Sequence, residues 1–252
     1  MGRLQWATAA YPLTKPWLQP FWSWMTALKK MGKPGRLLQL TARTMVHILS
    51  LQSYSPSPYS KSSPWHGATD AGADEEGATV GGWLTEDPEA TKEMVWWFME
   101  DIEQGTHPWA FDKGSPQKKI SSLELYGSMV LVKLILAKNN GNPATIPIFT
   151  DNQGNALALL SNRWKRWPNA AFIMDLNMTL HMAGSYIRPN FVKREFNEWA
   201  DQLTHGDSSG FDEAKRLQPP QMSEWPIFLS LMKAYESTLD QSPQVPSVLT
   251  KG

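Results

Sequence analysis

The sequence predicts an α/β fold, a mixed five-stranded sheet flanked by helices, with an N-terminal helical segment ahead of it. From residue 65 onward, segments with strand character and segments with helical periodicity follow one another in the order β-β-β-α-β-α-α-β-α. A helix separates the third strand from the fourth, which requires a crossover connection. We therefore expect the fourth strand to join the sheet parallel to the first.

The first three strands are predicted at 66–73, 78–84 and 94–102. The turn-forming run Asp74-Glu75-Glu76-Gly77 separates the first two, which is typical of a β-hairpin. The third contains an apolar run that includes Val95, Trp96, Trp97 and Phe98 and is followed by a loop of Gly, Pro and Lys.

The second half of the sheet alternates helices with strands. The clearest helix is predicted at 121–138, because apolar residues recur on one face at helical spacing and Ser121 or Ser122 can cap its start. Gly127 and Ser128 are small, so we expect this helix to approach the sheet closely. The other predicted elements are strands at 145–150 and 186–193 and helices at 154–162, 170–183 and 197–205.

Outside these elements the composition changes twice. The N-terminal part contains a short helix that begins near Pro20, a second helix within 35–52 and a Ser/Pro-rich linker at 53–63. The C-terminal part is rich in Pro, Ser and Gln, with one helix at 225–239 and a flexible tail. The predicted division is a helical connection-like segment with its linker (1–60), the main domain (61–212) and a C-terminal extension (213–252).

Composition excludes some classes of function. The 252 residues include no Cys, so the chain has neither a disulfide framework nor a thiolate metal site. The formal net charge is zero, so any contact with nucleic acid must come from local basic patches. The N-terminus lacks the apolar core of a signal peptide, and the longest apolar run falls short of a membrane span. We expect an intracellular protein, cytoplasmic or nuclear, without a membrane partner.

Four acidic residues are the strongest candidates for chemistry: Asp70, Glu124, Asp151 and Asp201. Each has an ordinary explanation on its own, since an Asp at a strand end is usually a turn former or a helix cap. Together they suggest more, because parallel first and fourth strands would bring Asp70 and Asp151 side by side near the sheet centre. A carboxylate cluster without Cys or several His favours Mg²⁺ or Mn²⁺ over zinc.

The surroundings of these residues resemble a known family. From about residue 65 to 211 the chain resembles a type 1 ribonuclease H domain, and in detail that of retroelement reverse transcriptases. The motifs are Thr69-Asp70-Ala71-Gly72, Leu123-Glu124-Leu125, Thr150-Asp151-Asn152 and Asn197-x-x-Ala200-Asp201-x-Leu203. They occur in the family's order at gaps of 54, 27 and 50 residues between the acidic positions. Residues 2–20 more loosely resemble the connection that follows the polymerase in such elements.

The resemblance implies a ribonuclease H-like fold and an endonuclease that hydrolyses the RNA strand of RNA–DNA hybrids. It implies that Asp70, Glu124, Asp151 and Asp201 are the catalytic residues and hold two Mg²⁺ ions, for which Mn²⁺ substitutes. The implied partners are the hybrid and the polymerase part of a reverse transcriptase. One departure concerns the loop at 191–196, where cellular members carry a mobile His and this chain has none. His205 lies one helical turn after Asp201 and is expected to share its face.

A basic and aromatic run, Asn162-Arg163-Trp164-Lys165-Arg166-Trp167, is the candidate nucleic-acid contact. We assign Arg163, Lys165 and Arg166 to that contact, together with Asn152. The alternative is that the Trp side chains pack inward while the cations are merely solvated.

Two other functions remain open from the sequence. One is a catalytically inactive ribonuclease H-like module that binds nucleic acid or protein. The other is a related metal nuclease or strand transferase that acts on DNA, since a fold does not fix a function.

Overall fold

The computed structural model describes residues 11–27, 35–50, 61–164 and 166–240, together with Gln5 and Thr8. Most of the predicted linker and of the C-terminal tail therefore lies outside the described residues, as does Lys165.

Five strands and eight α-helices make up the described chain, with short 3₁₀ turns between them. The strands are β1 (His66–Ala73), β2 (Ala78–Thr85), β3 (Trp96–Ile102), β4 (Thr145–Thr150) and β5 (Tyr186–Phe191). The helices are α1 (Gln19–Ala27), α2 (Arg36–Ser50), α3 (Pro108–Phe111), α4 (Ile120–Lys138), α5 (Gln153–Ser161), α6 (Asn169–Met182), α7 (Glu198–Thr204) and α8 (Pro226–Asp240). A 3₁₀ helix, Pro12–Leu18, runs directly into α1.

The strands form one mixed sheet in the order β3-β2-β1-β4-β5. The first two pairings are antiparallel, as in a meander, whereas β1–β4 and β4–β5 are parallel. The predicted ribonuclease H-like fold class, a mixed five-stranded sheet flanked by helices, is confirmed. The predicted element limits differ from the observed ones by only one or two residues in most cases, as expected where element ends fray.

Helices cover both faces of the sheet. A Cβ atom at Gly127 of α4 would lie 2.5 Å from the Thr69 Oγ1, so the predicted close approach of this helix to the sheet is present. A Cβ at Gly81 would lie 2.7 Å from the Leu203 Cβ on α7. Because successive side chains of a strand alternate between faces, Val80 faces α4 and Gly81 faces α7.

A helical layer continues the core away from the sheet. The ring of Phe172 on α6 stacks on that of Phe228 on α8 at 4.5 Å, and Trp225 beside α8 is fully buried. The 3₁₀ helix Pro12–Leu18 packs against α6, and α2 packs against α8. The helices before and after the sheet therefore share one continuous core with it.

One stretch in the described chain, Pro116–Lys138, is long and apolar enough to span a bilayer, with a mean hydropathy of 1.6 over its most apolar window. This stretch is interrupted by Glu124 and Lys133, so it is not one continuous apolar run. Length and composition alone do not separate a membrane span from a core helix. Here Leu123, Tyr126 and Met129 are fully buried inside the protein, as in a central core helix.

Candidate metal centre

Three of the four predicted carboxylates meet at one end of the sheet. Oxygen atoms of Asp70, Glu124 and Asp151 all lie within 4.8 Å of one another. Asp70 is in the middle of β1 and only 6% exposed, Glu124 lies on α4, and Asp151 directly follows β4. Since β1 and β4 are parallel neighbours with Ala68 paired to Phe149, the middle of β1 lies beside the carboxyl end of β4, and the two aspartates approach each other there.

Two asparagines fix the orientation of Glu124. The Asn152 Nδ2 and the Asn155 Nδ2 both donate to the Glu124 Oε2, the second at 3.2 Å. The Asn152 Oδ1 accepts from the Asn155 backbone N–H at 2.9 Å and so caps α5. The predicted nucleic-acid residue Asn152 is thus engaged with the carboxylate cluster and the helix start. Sequence reasoning missed Asn155, although its position one turn after Thr150-Asp151-Asn152 was a signal.

Burial and the neighbouring negative charges disfavour the charged forms of Asp70 and Glu124. Burial raises the pKa of Asp70 to about 6, and the negative charge of Asp151 adds to the effect. Burial also raises the pKa of Glu124 to about 7, against the hydrogen bond from Asn152, which lowers it. A cation placed among the three groups would remove this cost, because an opposite charge favours the ionised form.

The residues present fit a divalent metal ion. The Asp151 Oδ1 is buried and accepts no hydrogen bond from any part of the chain that the structure describes. A buried carboxylate oxygen without a partner is costly, so native proteins usually supply a donor, a water or an ion. The ligands here are all oxygen atoms of carboxylates, the donor type that Mg²⁺, Mn²⁺ and Ca²⁺ prefer.

The fourth predicted residue, Asp201, lies outside the 4.8 Å cluster but close enough for its charge to raise the pKa of Asp70. Its Oδ1 accepts from the Arg194 Nη2 at 2.5 Å. Arg194 precedes α7 and its side chain is 73% exposed, yet its charge also lowers the pKa values of Asp70 and Glu124. This arginine therefore faces the carboxylates from the rim of the site.

Sequence reasoning did not single out Arg194, although it is one of two cations, with Lys193, in the loop where a His was sought. His205 does share a helix face with Asp201, as expected. Its Nδ1 lies 2.8 Å from the Asp201 backbone oxygen and 3.8 Å from the Asp201 Oδ2.

The basic run lies away from the cluster, between α5 and α6. Arg163 and Arg166 are exposed there, and Trp164 and Trp167 are half-buried and pack against the core. The rings pack inward while the arginines face solvent, as the alternative interpretation describes, and the nucleic-acid contact stays a prediction. The third predicted contact in the run, Lys165, is outside the described residues.

Comparisons with known proteins give fold similarity only. No family model matches this sequence, and no curated protein does. The structure is similar to RNase H1 of the halophilic archaeon Halobacterium salinarum NRC-1, with 17% identity and a TM-score of 0.40 over 56% of this chain and 94% of that one. It is similar to the N-terminal RNase H domain of rv2228c from Mycobacterium tuberculosis, with 16% identity and a TM-score of 0.42 over 57% and 92%. It is also similar to LC11-RNase H1, solved in complex with an RNA/DNA hybrid, with 12% identity and a TM-score of 0.41 over 57% of this chain and 95% of that one. These similarities are too distant to assign an activity.

Proposed function

We propose that this protein is a metal-dependent endonuclease that hydrolyses the RNA strand of RNA–DNA hybrids. The observation that carries the proposal is the cluster of Asp70, Glu124 and Asp151 within 4.8 Å, with one buried oxygen of Asp151 left without a partner. The four sequence motifs around the acidic residues support the same reading.

Asp70, Glu124 and Asp151 would hold Mg²⁺, with Asp201 contributing a fourth carboxylate and with Mn²⁺ as a substitute. Two divalent ions bound in such a site supply a water of lowered pKa and neutralise charge on the leaving oxygen. Asp70, on the central strand β1 and only 6% exposed, would be the most enclosed of these metal ligands. No protein general base is then required.

The other residues of the site act by position and charge. Asn152 and Asn155 both donate to the Glu124 Oε2 and so hold this side chain in one orientation within the cluster. Arg194 pairs with Asp201 and also faces the other carboxylates, so it offsets part of their negative charge before an anionic phosphodiester arrives. We propose that it attracts the substrate phosphate to a site that would otherwise repel it.

The motif resemblance also motivates proposals about context. We propose that the chain is part of a retroelement reverse transcriptase, works beside its polymerase and acts inside the cell, in the cytoplasm or the nucleus. We also propose that the main domain spans residues 61–212, between the N-terminal helical segment and the C-terminal extension. Arg163, Lys165, Arg166 and Asn152 are its nucleic-acid contacts.

The test is cleavage of a hybrid whose two strands carry different labels, in Mg²⁺ and in EDTA, beside Asp70→Asn. We expect metal-dependent loss of the RNA strand alone, and none with the variant. Cleavage of duplex DNA instead would support the DNA nuclease or strand transferase. Tight hybrid binding that ignores Mg²⁺, without cleavage by a folded sample, would support the inactive binding module.

A further inference from the structure

A second concave surface lies at the opposite end of α5 from the carboxylates. It is a cavity of about 610 Å³ between the N-terminal segment and the loop that follows α5. We propose that this cavity, the Lys15–Arg163 pocket, binds the phosphodiester backbone of a nucleic-acid strand. The residues that carry the proposal are Lys15, Trp22, Asn162, Arg163 and Trp164. The identity of the strand rests on the proposed function, since it is the hybrid seated at the carboxylates.

The charge of the pocket selects an anion. Lys15 and Arg163 both line it, and the described lining residues include no Asp or Glu. The two cations are close enough that, after burial, the charge of Arg163 lowers the pKa of Lys15. Two like charges that share a low-dielectric concavity focus a positive potential, which an arriving phosphate would neutralise.

The pocket is anchored to the core on both sides. On one side, Trp17 and Leu18 next to Lys15 are fully or almost fully buried, and their 3₁₀ helix packs against α6. On the other side, Asn162 adopts a left-handed conformation with φ 53° at the end of α5. The Arg163 backbone N–H donates to the Ala158 oxygen at 3.1 Å, so the start of the loop is fixed as well. A rigid site loses little entropy when it binds a ligand.

Aromatic rings complete the chemistry of the pocket. Trp22 is 38% exposed and Trp164 is half-buried, and both line the cavity. In a hybrid the bases are paired, so the rings would lie against the sugars while the two cations contact the phosphates of the same strand. An acidic peptide would use the two cations but would leave the rings without a role.

The distance to the carboxylates suits one continuous substrate. Asn152, at the start of α5, contacts Glu124, and Asn162 ends the same helix. Nine helical residues span about 14 Å at 1.5 Å per residue. At about 3.4 Å per base pair this corresponds to about four base pairs. A hybrid cut at the carboxylates and lying along α5 therefore reaches the pocket a few nucleotides from the cut.

The experiment measures binding of a hybrid that is long enough to reach both sites. Lys15→Glu and Arg163→Glu are each introduced into Asp70→Asn protein, and dissociation constants are measured in EDTA for a hybrid of about 18 base pairs. We expect each substitution to weaken binding of this hybrid about 3- to 10-fold and to lower its salt slope by about 1.

The matched control is Lys61→Glu, which makes the same charge change at an exposed lysine next to the start of β4, at the far end of that strand from Asp151. Equal losses for Lys61→Glu would overturn the pocket, since the effect would then come from net charge alone. Arg163→Gln, at an exposed position, separates charge loss from misfolding and is expected to weaken binding in the same direction.

The two proposals fail in different ways. If the unmodified protein cleaves the RNA strand and the pocket variants bind the hybrid as tightly as Asp70→Asn protein does, only the pocket is wrong. If no cleavage occurs but Lys15→Glu and Arg163→Glu weaken hybrid binding more than Lys61→Glu does, the pocket stands and the nuclease activity fails.

Discussion

Two buried groups of titratable side chains lie on this sheet, and they differ in how their polar atoms are satisfied. Asp70, Glu124 and Asp151 form the carboxylate cluster at one site. Glu100, His107 and Tyr126 form the second, which we call the Glu100 cluster. There the Tyr126 hydroxyl donates to the Glu100 Oε2 at 2.9 Å, and the His107 Nε2 lies 3.2 Å from that hydroxyl and 3.5 Å from the Glu100 Oε1.

The Glu100 cluster is closed by its own hydrogen bonds. Burial raises the pKa of Glu100 to about 7 and lowers that of His107 to about 4, so both groups favour the neutral form that the internal bonds can satisfy. The carboxylate cluster has the same burial but holds three acids and a buried Asp151 oxygen without a donor. The Glu100 cluster satisfies its own polar atoms and so supports the fold. The carboxylate cluster leaves a buried oxygen without a donor, which a bound divalent cation would satisfy.

The largest expected effect is on cleavage. Asp151→Asn should reduce hybrid cleavage at least about 1,000-fold, because metal charge stabilisation is worth several kcal/mol in the transition state. Glu100→Gln, also at a buried carboxyl group, should leave the rate within about twofold. Strand-resolved cleavage assays at saturating Mg²⁺ measure both. Equal losses of cleavage rate in the two variants would show that the carboxylate cluster has no special part in catalysis.

The next effect concerns stability in the closed cluster. Tyr126→Phe removes the donor to Glu100 and leaves a buried carboxyl group poorly satisfied. The expected cost is about 1–3 kcal/mol, measured by urea unfolding. Added Mg²⁺ should not restore it. An unchanged urea midpoint of unfolding would show that the hydrogen bond from Tyr126 to Glu100 does not stabilise the fold.

A substitution that removes a charge from the carboxylate cluster should instead raise the stability of the folded protein. In EDTA at pH 8, Asp70→Asn removes a charge from a site where burial and Asp151 oppose ionisation. We expect Tm to rise by about 2–4 °C, although cleavage is lost, since catalytic groups are often held at the expense of stability. A lower Tm in EDTA would contradict the repulsion on which the metal-site argument depends.

A smaller effect is the pH dependence of stability from Glu100. Its folded pKa of about 7 lies above the ordinary Glu value of 4.5, so the folded state binds the proton more tightly. Its contribution is therefore present below pH 4.5 and is lost as pH rises through about 7. Glu100→Gln should flatten the fall of Tm between pH 5 and pH 8, followed by calorimetry in EDTA. A slope identical to that of the unmodified protein would mean that Glu100 titrates normally.

Local patterns predicted most of the sheet correctly, because strand runs, turn residues and helical periodicity are encoded within short segments. The hairpin before Ala78 and the parallel placement of β4 followed from turn chemistry and crossover geometry. The three carboxylates came together for the same reason, since Asp70 and Asp151 are tied to neighbouring parallel strands.

What the sequence did not reveal depends on side chains brought together by tertiary packing. Nothing local to Arg194 indicates that it bonds Asp201 and faces three other carboxylates. The Glu100 cluster joins residues from a strand, a loop and a helix that share no motif. The Lys15–Arg163 pocket likewise needs the N-terminal segment to be docked beside α6 before its two cations meet.

The measurement that tests the central claim most directly is divalent cation binding by the carboxylate cluster, followed by titration calorimetry with Mn²⁺ at pH 6 and pH 8. We predict saturable binding that is weaker at pH 6, because protons compete for Asp70 and Glu124, whose pKa values lie at about 6 and 7. Asp151→Asn should weaken it at least about tenfold, whereas Glu100→Gln should leave it unchanged. Binding that is absent, or equally strong in Asp151→Asn, would contradict the account.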